Sequence, residues 1–249
     1  MIKANSKPLD EVWGFIQGCR RVLILGCNGC VTVCHVGGEK EVGVLAQALR
    51  LKAKTEGRAV EFLENTVERQ CEPEFVQPVL DNIGETDAIV SIACGVGVNS
   101  LADLGCPVPA YPGVDTAFMG STIEHGVWEE RCGGCGKCIL DLTGGLCPIA
   151  RCAKSILNGP CGGTRDGMCE ISSEERPVPC VWAQIIERLA RLGRLDQLTA
   201  VQPARNWCTS YHGGLRRRVR EDLRIAHEEE QEAGKAPSGA PGTREEKAS

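Results

Sequence analysis

Residues 131–180 hold little that a fold can bury. The stretch "RCGGCGKCILDLTGGLCPIARCAKSILNGPCGGTRDGMC" (131–169) puts glycine and cysteine where periodic apolar residues would stand. Such a segment cannot close over a core of its own and needs a staple. The chain of 249 residues carries 16 cysteines and 30 glycines, both far above ordinary usage.

The kind of staple follows from the compartment. The N-terminus "MIKANSKPLDEVWGFIQGCRR" has no apolar signal core, and no apolar run approaches the ~20 residues of a membrane span. A cytoplasmic chain without membrane insertion is expected, and there thiols stay reduced. Metal binding or redox work is then the reading for the cysteines, ahead of disulfides. Net charge is −5 and no basic face dominates, so nucleic acid is not an expected partner. The one basic run, "LRRRVR" (215–220), is offset by the following "EDLRIAHEEEQE" and reads as a solvated helix face.

Periodicity outlines the rest. Residues 1–20 read as an N-terminal helix with Val12, Trp13 and Ile16 on one side. "RRVLILGC" (20–27), "RAVEFLEN" (58–65), "TDAIVSIAC" (86–94) and "VPAYPG" (108–113) read as strands. Helical spacing over 37–57, 72–84 and 97–105 separates them, with Pro78 demanding a kink or a late start. The alternation predicts an α/β fold, a flavodoxin-like open parallel sheet. A cysteine-rich, metal-stapled segment and C-terminal helices follow. The expected divisions are 1–20, an α/β domain over 21–125, a cysteine-rich segment over 126–215, and a charged helix with a disordered tail over 216–249. Within the third, "PVPCVWAQIIERLARLG" (177–193) is an amphipathic helix with Val181, Trp182, Ile185, Ile186, Leu189 and Leu192 in its stripe and Gly193 at its end. Tyr111, Asp115, Thr116 and Phe118, beyond the last strand, are candidates for a partner-facing loop.

Two cysteine sets carry the chemistry. "GCNGCVTVCHVGG" (26–38) gives Cys27, Cys30 and Cys34 in a C-x2-C-x3-C run directly after the first strand. Ligands of open parallel sheets bind beyond the carboxyl ends of the strands. Cys94 ends the third strand and Cys71 follows the second, so all five thiols belong to one edge if the strand order is 2-1-3. Three local thiolates with one distant suit a four-iron cube. Cys94 is preferred over Cys71 as the distant ligand because a strand fixes its position. There is no G-x-G-x-x-G to support a dinucleotide loop, and Cys19, Cys106 and His35 read as ordinary residues.

Cys132, Cys135 and Cys138 form the second set, C-x2-C-x2-C, with Cys147 before Pro148 as its fourth member. Consecutive steps of two suit an iron–sulfur cube better than the paired knuckles of zinc. Cys152, Cys161, Cys169 and Cys180 would complete a further site, iron–sulfur or zinc, or simply staple the segment.

The quoted residues carry a resemblance. "ERQC" (68–71), "ACGVG" (93–97), "WEERCGGCGKCILDLTGGLCPIARCAKSILNGPCGG" (128–163) and the "VWAQIIERL" helix resemble the methylenetetrahydrofolate reductase C-terminal domain family, over roughly residues 20–207. The resemblance implies a small iron–sulfur accessory subunit of the acetogen type, serving one-carbon metabolism in the Wood–Ljungdahl pathway. Its partner would be a separate FMN-containing TIM-barrel methylenetetrahydrofolate reductase catalytic subunit, with further electron-transfer subunits. Two [4Fe–4S] clusters, with a third or a zinc ion in place of one, would relay electrons to or from that flavin. The chain is too short to add an eight-fold barrel of ~250 residues, so it would not reduce folate alone. A zinc-stapled module that docks a redox enzyme is the alternative. A catalytic Cys71 or Cys94 would need a nearby base, and among four histidines only His35 is close in sequence.

Overall fold

The computed structural model describes residues 1–210 and 214–224. The expected tail over 233–249, and the expected charged helix beyond residue 224, lie outside them; residues 221–224 are helical. Contacts divide the chain into two compact units, Met1–Arg205 and Asn206–Ser249. In the second, Trp207–Thr209 form a single 3-10 turn, and Asn206 caps it by accepting from the Cys208 N–H. No described helix is long and apolar enough to cross a membrane.

The first unit is built on a parallel sheet. Strands β2 (Arg21–Cys27), β3 (Glu61–Val67), β4 (Ala88–Ser91) and β5 (Ala110–Pro112) lie in the order β3-β2-β4-β5, every neighbouring pair parallel. Strand β2 is central and buried from Val22 to Cys27. Side chains alternate across a strand, so β2 feeds two cores. Val22 and Ile24 join Trp13, Val42, Leu49 and Phe62 on one face, against helices α1 (Leu9–Phe15) and α3 (Glu39–Thr55). Leu23 and Leu25 join Val76, Leu80, Ile89 and Leu101 on the other, against α4 (Pro73–Asp81) and α5 (Gly95–Asp103). Helix α4 continues through Pro78 without a late start.

A second sheet differs from the sequence expectation. Residues Ile2–Ser6 form strand β1 rather than part of a helix, and only α1, with Val12 and Trp13 buried, realises the expected N-terminal helix. Strand β1 pairs antiparallel with β6 (Val114–Glu124), which pairs with β7 (Val127–Cys132). Tyr111, Asp115, Thr116 and Phe118 therefore sit in strands rather than in a loop.

The cysteine-rich segment contributes short helix α6 (Pro148–Arg151) and helix α7 (Val181–Arg191). A third, smaller core gathers Cys180, Val181, Trp182, Ile185 and Leu189, with Leu146, Cys152 and Leu198 against it. Helix α7 ends as the sequence suggests. Gly193 takes φ +66, its N–H donates to Ala190 O, and Arg194 N–H reaches back to Leu189 O. Those two bonds satisfy carbonyls that the helix end would leave bare. Leu192, expected in the apolar stripe, is 48% exposed.

Candidate functional site

The carboxyl ends of β2, β3 and β4 meet at a cavity of about 60 Å3. Cys27, the last residue of β2, lines it, as do Cys30 at the start of α2 (Cys30–Val33), Cys71 just beyond β3, and Cys94 just beyond β4. Cys27 is buried, Cys94 half-buried, and Cys30 and Cys71 exposed. Four thiols from three strand ends thus face one space. Among the described residues, however, no three His, Cys, Asp or Glu side chains are grouped closely enough to hold a single metal ion.

Cys34, the third member of the C-x2-C-x3-C run, does not line this cavity. It caps the far end of α2, about 6 Å along the axis from Cys30. It is buried beneath β1, its Sγ 3.5 Å from Val31 O and 3.9 Å from both Ile2 O and Ala4 O. The chain then turns away at His35, whose φ is 57.

Polar residues fix the floor. Gln70 is fully buried, and its Nε2 donates to Leu25 O (3.0 Å) and Gly26 O (3.2 Å). Its Oε1 accepts from Ser91 Oγ (2.7 Å), and Ser91 Oγ in turn accepts from Ala93 N–H. One side chain therefore clamps the ends of β2 and β4 to the segment after β3. A buried amide without these partners would be costly, so the clamp holds Cys71 and Cys94 in register. Cys94 is the N-cap of α5, and Gly95 N–H donates to Thr116 Oγ1 at 2.8 Å. The positive end of the helix dipole faces the thiols and favours negative charge there. Gly97 is close-packed, since a Cβ would lie 2.7 Å from Gln70 Cβ and 2.8 Å from Ala93 Cβ.

The electrostatics link these cysteines. Partial burial pushes the Cys71 thiol up from its ordinary value, opposed by its own backbone N–H, and Cys27, Glu72 and Cys94 push it further up. Four uncompensated thiolates would repel one another, and a cation bound among them would offset that repulsion. Arg69 is the one charged residue in the lining among the described residues. Its guanidinium lies 5.4 Å from the Phe75 ring centre and 3.8 Å from Glu68. Neither Arg69 nor Gln70 has a role in the reading of the sequence, although both stand in the quoted "ERQC". The only signal was a polar triplet directly after a strand end.

The second set lies on the cysteine-rich segment. Cys132 ends β7 opposite Met119, and Gly134 N–H donates to its Sγ at 3.4 Å. Cys135 and Cys138 follow on a turn that Gly134 (φ 59) and Gly136 (φ 81) make possible. Arg205 Nη2 holds that turn through Lys137 O at 2.6 Å. Cys147 caps α6 at one end and Cys152 at the other. Cys152 packs on the α7 core beside buried Cys180. Cys180 Sγ lies 3.2 Å from Thr164 Oγ1. Lys154 pairs with Glu170, which holds its ammonium above its usual value, and Cys161 and Cys169 add to that shift in the same direction. Cys106 Sγ lies 3.2 Å from Val108 O, and burial raises the Cys19 thiol; neither lines the cysteine cavity.

Comparison with known proteins bears on the second set. No curated protein and no solved structure matches the chain. Residues 111–208 match the family model described as "Methylene-tetrahydrofolate reductase C terminal". The match covers β6, β7 and the cysteines from Cys132 to Cys180. It is narrower than the likeness read over 20–207 and leaves the Cys27–Cys94 cavity outside it. It associates residues 111–208 of this chain with methylenetetrahydrofolate reductase.

Proposed function

We propose that the chain is an iron–sulfur electron-transfer accessory subunit of a methylenetetrahydrofolate reductase. It acts in a reducing cytoplasm and exchanges electrons with the FMN of a separate catalytic subunit. The observation that carries this reading is the convergence of Cys27, Cys30, Cys71 and Cys94 on one cavity at the carboxyl edge of a parallel sheet. The donor set is all thiol, and soft thiolates suit iron–sulfur clusters. It lies at a helix N-terminus, with one arginine at the lining to offset negative charge. These residues fit a [4Fe–4S] cluster, with Cys71 as the ligand in place of Cys34. Cys132, Cys135, Cys138 and Cys147 would hold a second cluster, and Cys152, Cys161, Cys169 and Cys180 a third metal or a staple.

A bound cluster supplies one-electron redox chemistry; the chain's own residues set where and how. Gln70 holds the strand ends, Gly97 lets α5 approach, and the α5 N-terminus favours a negatively charged occupant. Cys30 and Cys71 lie exposed, leaving that edge open to a partner. In this reading the reduction of folate is the work of the catalytic subunit.

Protein purified without oxygen should be brown and hold about eight irons per chain for two four-iron clusters. Cys71→Ser should lose about four of them, and Cys34→Ser should keep them all. Loss on Cys34→Ser with retention on Cys71→Ser would return the first site to the local run. A colourless protein with zinc alone would replace the electron-transfer reading with a zinc-stapled docking module.

A further inference from the structure

A second cavity, of about 130 Å3, lies beside α7 and has no cysteine in its lining. Ile139, Leu142, Trp182 and Leu198 give it apolar walls, and Thr143 and Gln197 add polar groups. An apolar protein cavity of about 150 Å3 accepts benzene, so this one has the size for a single six-membered ring.

Several polar groups around it are already engaged. Trp182 Nε1 donates to Ile156 O at 3.0 Å. Thr143 Oγ1 donates to Ile139 O at 3.3 Å. Asn158 Nδ2 donates to Gln202 O, and Asn158 Oδ1 accepts from Gln202 N–H. One acceptor is left over: Gln197 Oε1 is buried without a hydrogen-bond partner. A buried acceptor in that state carries its full desolvation penalty. A purely apolar guest would fill the volume and leave the oxygen unpaired.

We propose that this cavity binds a small planar ring bearing one N–H or O–H donor. The ring lies among Trp182, Leu142 and Ile139, and the donor meets Gln197 Oε1. Gly159, packed against the Trp182 indole where any side chain would collide, keeps the indole in place. This site is independent of the cluster reading: it uses no thiol, and it stands whichever metal the cysteines hold.

The test uses the full chain with its native metal content, titrated with phenol and with toluene by calorimetry or ligand-observed NMR. Both should bind, and Gln197→Leu should lower the phenol-to-toluene affinity ratio about tenfold while keeping toluene binding, which also shows that the variant folds. Leu142→Trp, which fills the space, should abolish both without changing iron content or visible absorption. Failure of both rings to bind at millimolar concentration would overturn the proposal. So would an unchanged ratio in Gln197→Leu, or ordered water as the only occupant.

Discussion

Arg69 and Gly97 show what single residues do at the cysteine cavity. Arg69 supplies the positive charge in its lining, so Arg69→Gln should make a bound cluster harder to reduce. A redox titration followed by EPR should give a lower midpoint potential with unchanged iron content. Gly97 marks the closest approach of α5 to the clamp. Alanine there would gain up to ~1 kcal/mol in helix propensity but lose about 1–3 kcal/mol to overpacking. Gly97→Ala should therefore cost about 1 kcal/mol net, read as a lowered denaturant midpoint. At this scale the sequence was partly legible. Cys27, Cys30, Cys71 and Cys94 could be placed at one edge because strand order alone brings them there. That Cys34 leaves the cavity could not, because it takes the far end of the short α2 and is covered there by β1, which pairs with residues more than a hundred positions distant.

Elements show the same division between local and distant causes. β2 and β4 are short apolar runs that read as buried strands, whereas β3 mixes polar with apolar residues and β5 is only three residues long. Helix α7 was legible down to its glycine stop. The antiparallel sheet was not. β1 buries only Ala4 fully and β6 only Val114, so neither shows a strong period of two. Their pairing is a tertiary fact that no window of sequence contains. The start of the central strand carries a pH-dependent tie. Asp87 Oδ2 accepts from Arg20 N–H (2.7 Å) and Arg21 N–H (2.8 Å), and these bonds, Arg20 first, hold its carboxyl below the usual range. A depressed carboxylate stabilises the fold above its unfolded value near pH 3.9, and that stability is lost as pH falls through the native value. Asp87→Asn should accordingly be less stable than the parent at pH 7. The two unfolding curves should converge as pH drops below the ordinary aspartate range.

For the whole molecule, three separate apolar cores matter more than the total buried. Two lie on opposite faces of the parallel sheet and share its strands, so they support one another. The third is small and rests on α7 with two cysteines at its margin. A core that size needs a staple. If the staple is a metal, chelating it should strip hydrogen-exchange protection from residues 131–180 first, while amides of β2 and α3 remain protected. Simultaneous loss in both regions would mean that the two halves are one cooperative unit.

The burial of Cys34 under β1 also has a consequence for the order of assembly. Contacts close in sequence form sooner than those that must close a long loop. Ile2 meets Met119, so β1 docks only after the sheet's own strands have been laid down. Until then Cys34 is as reachable as Cys27 and Cys30, and the three form the quickest local trap for a stray ion. Docking of β1 removes Cys34 from that contest and leaves the slower, distant thiols to complete the set. If the cavity holds a metal, a chain in which β1 cannot pair should load it instead at the local trio Cys27, Cys30 and Cys34.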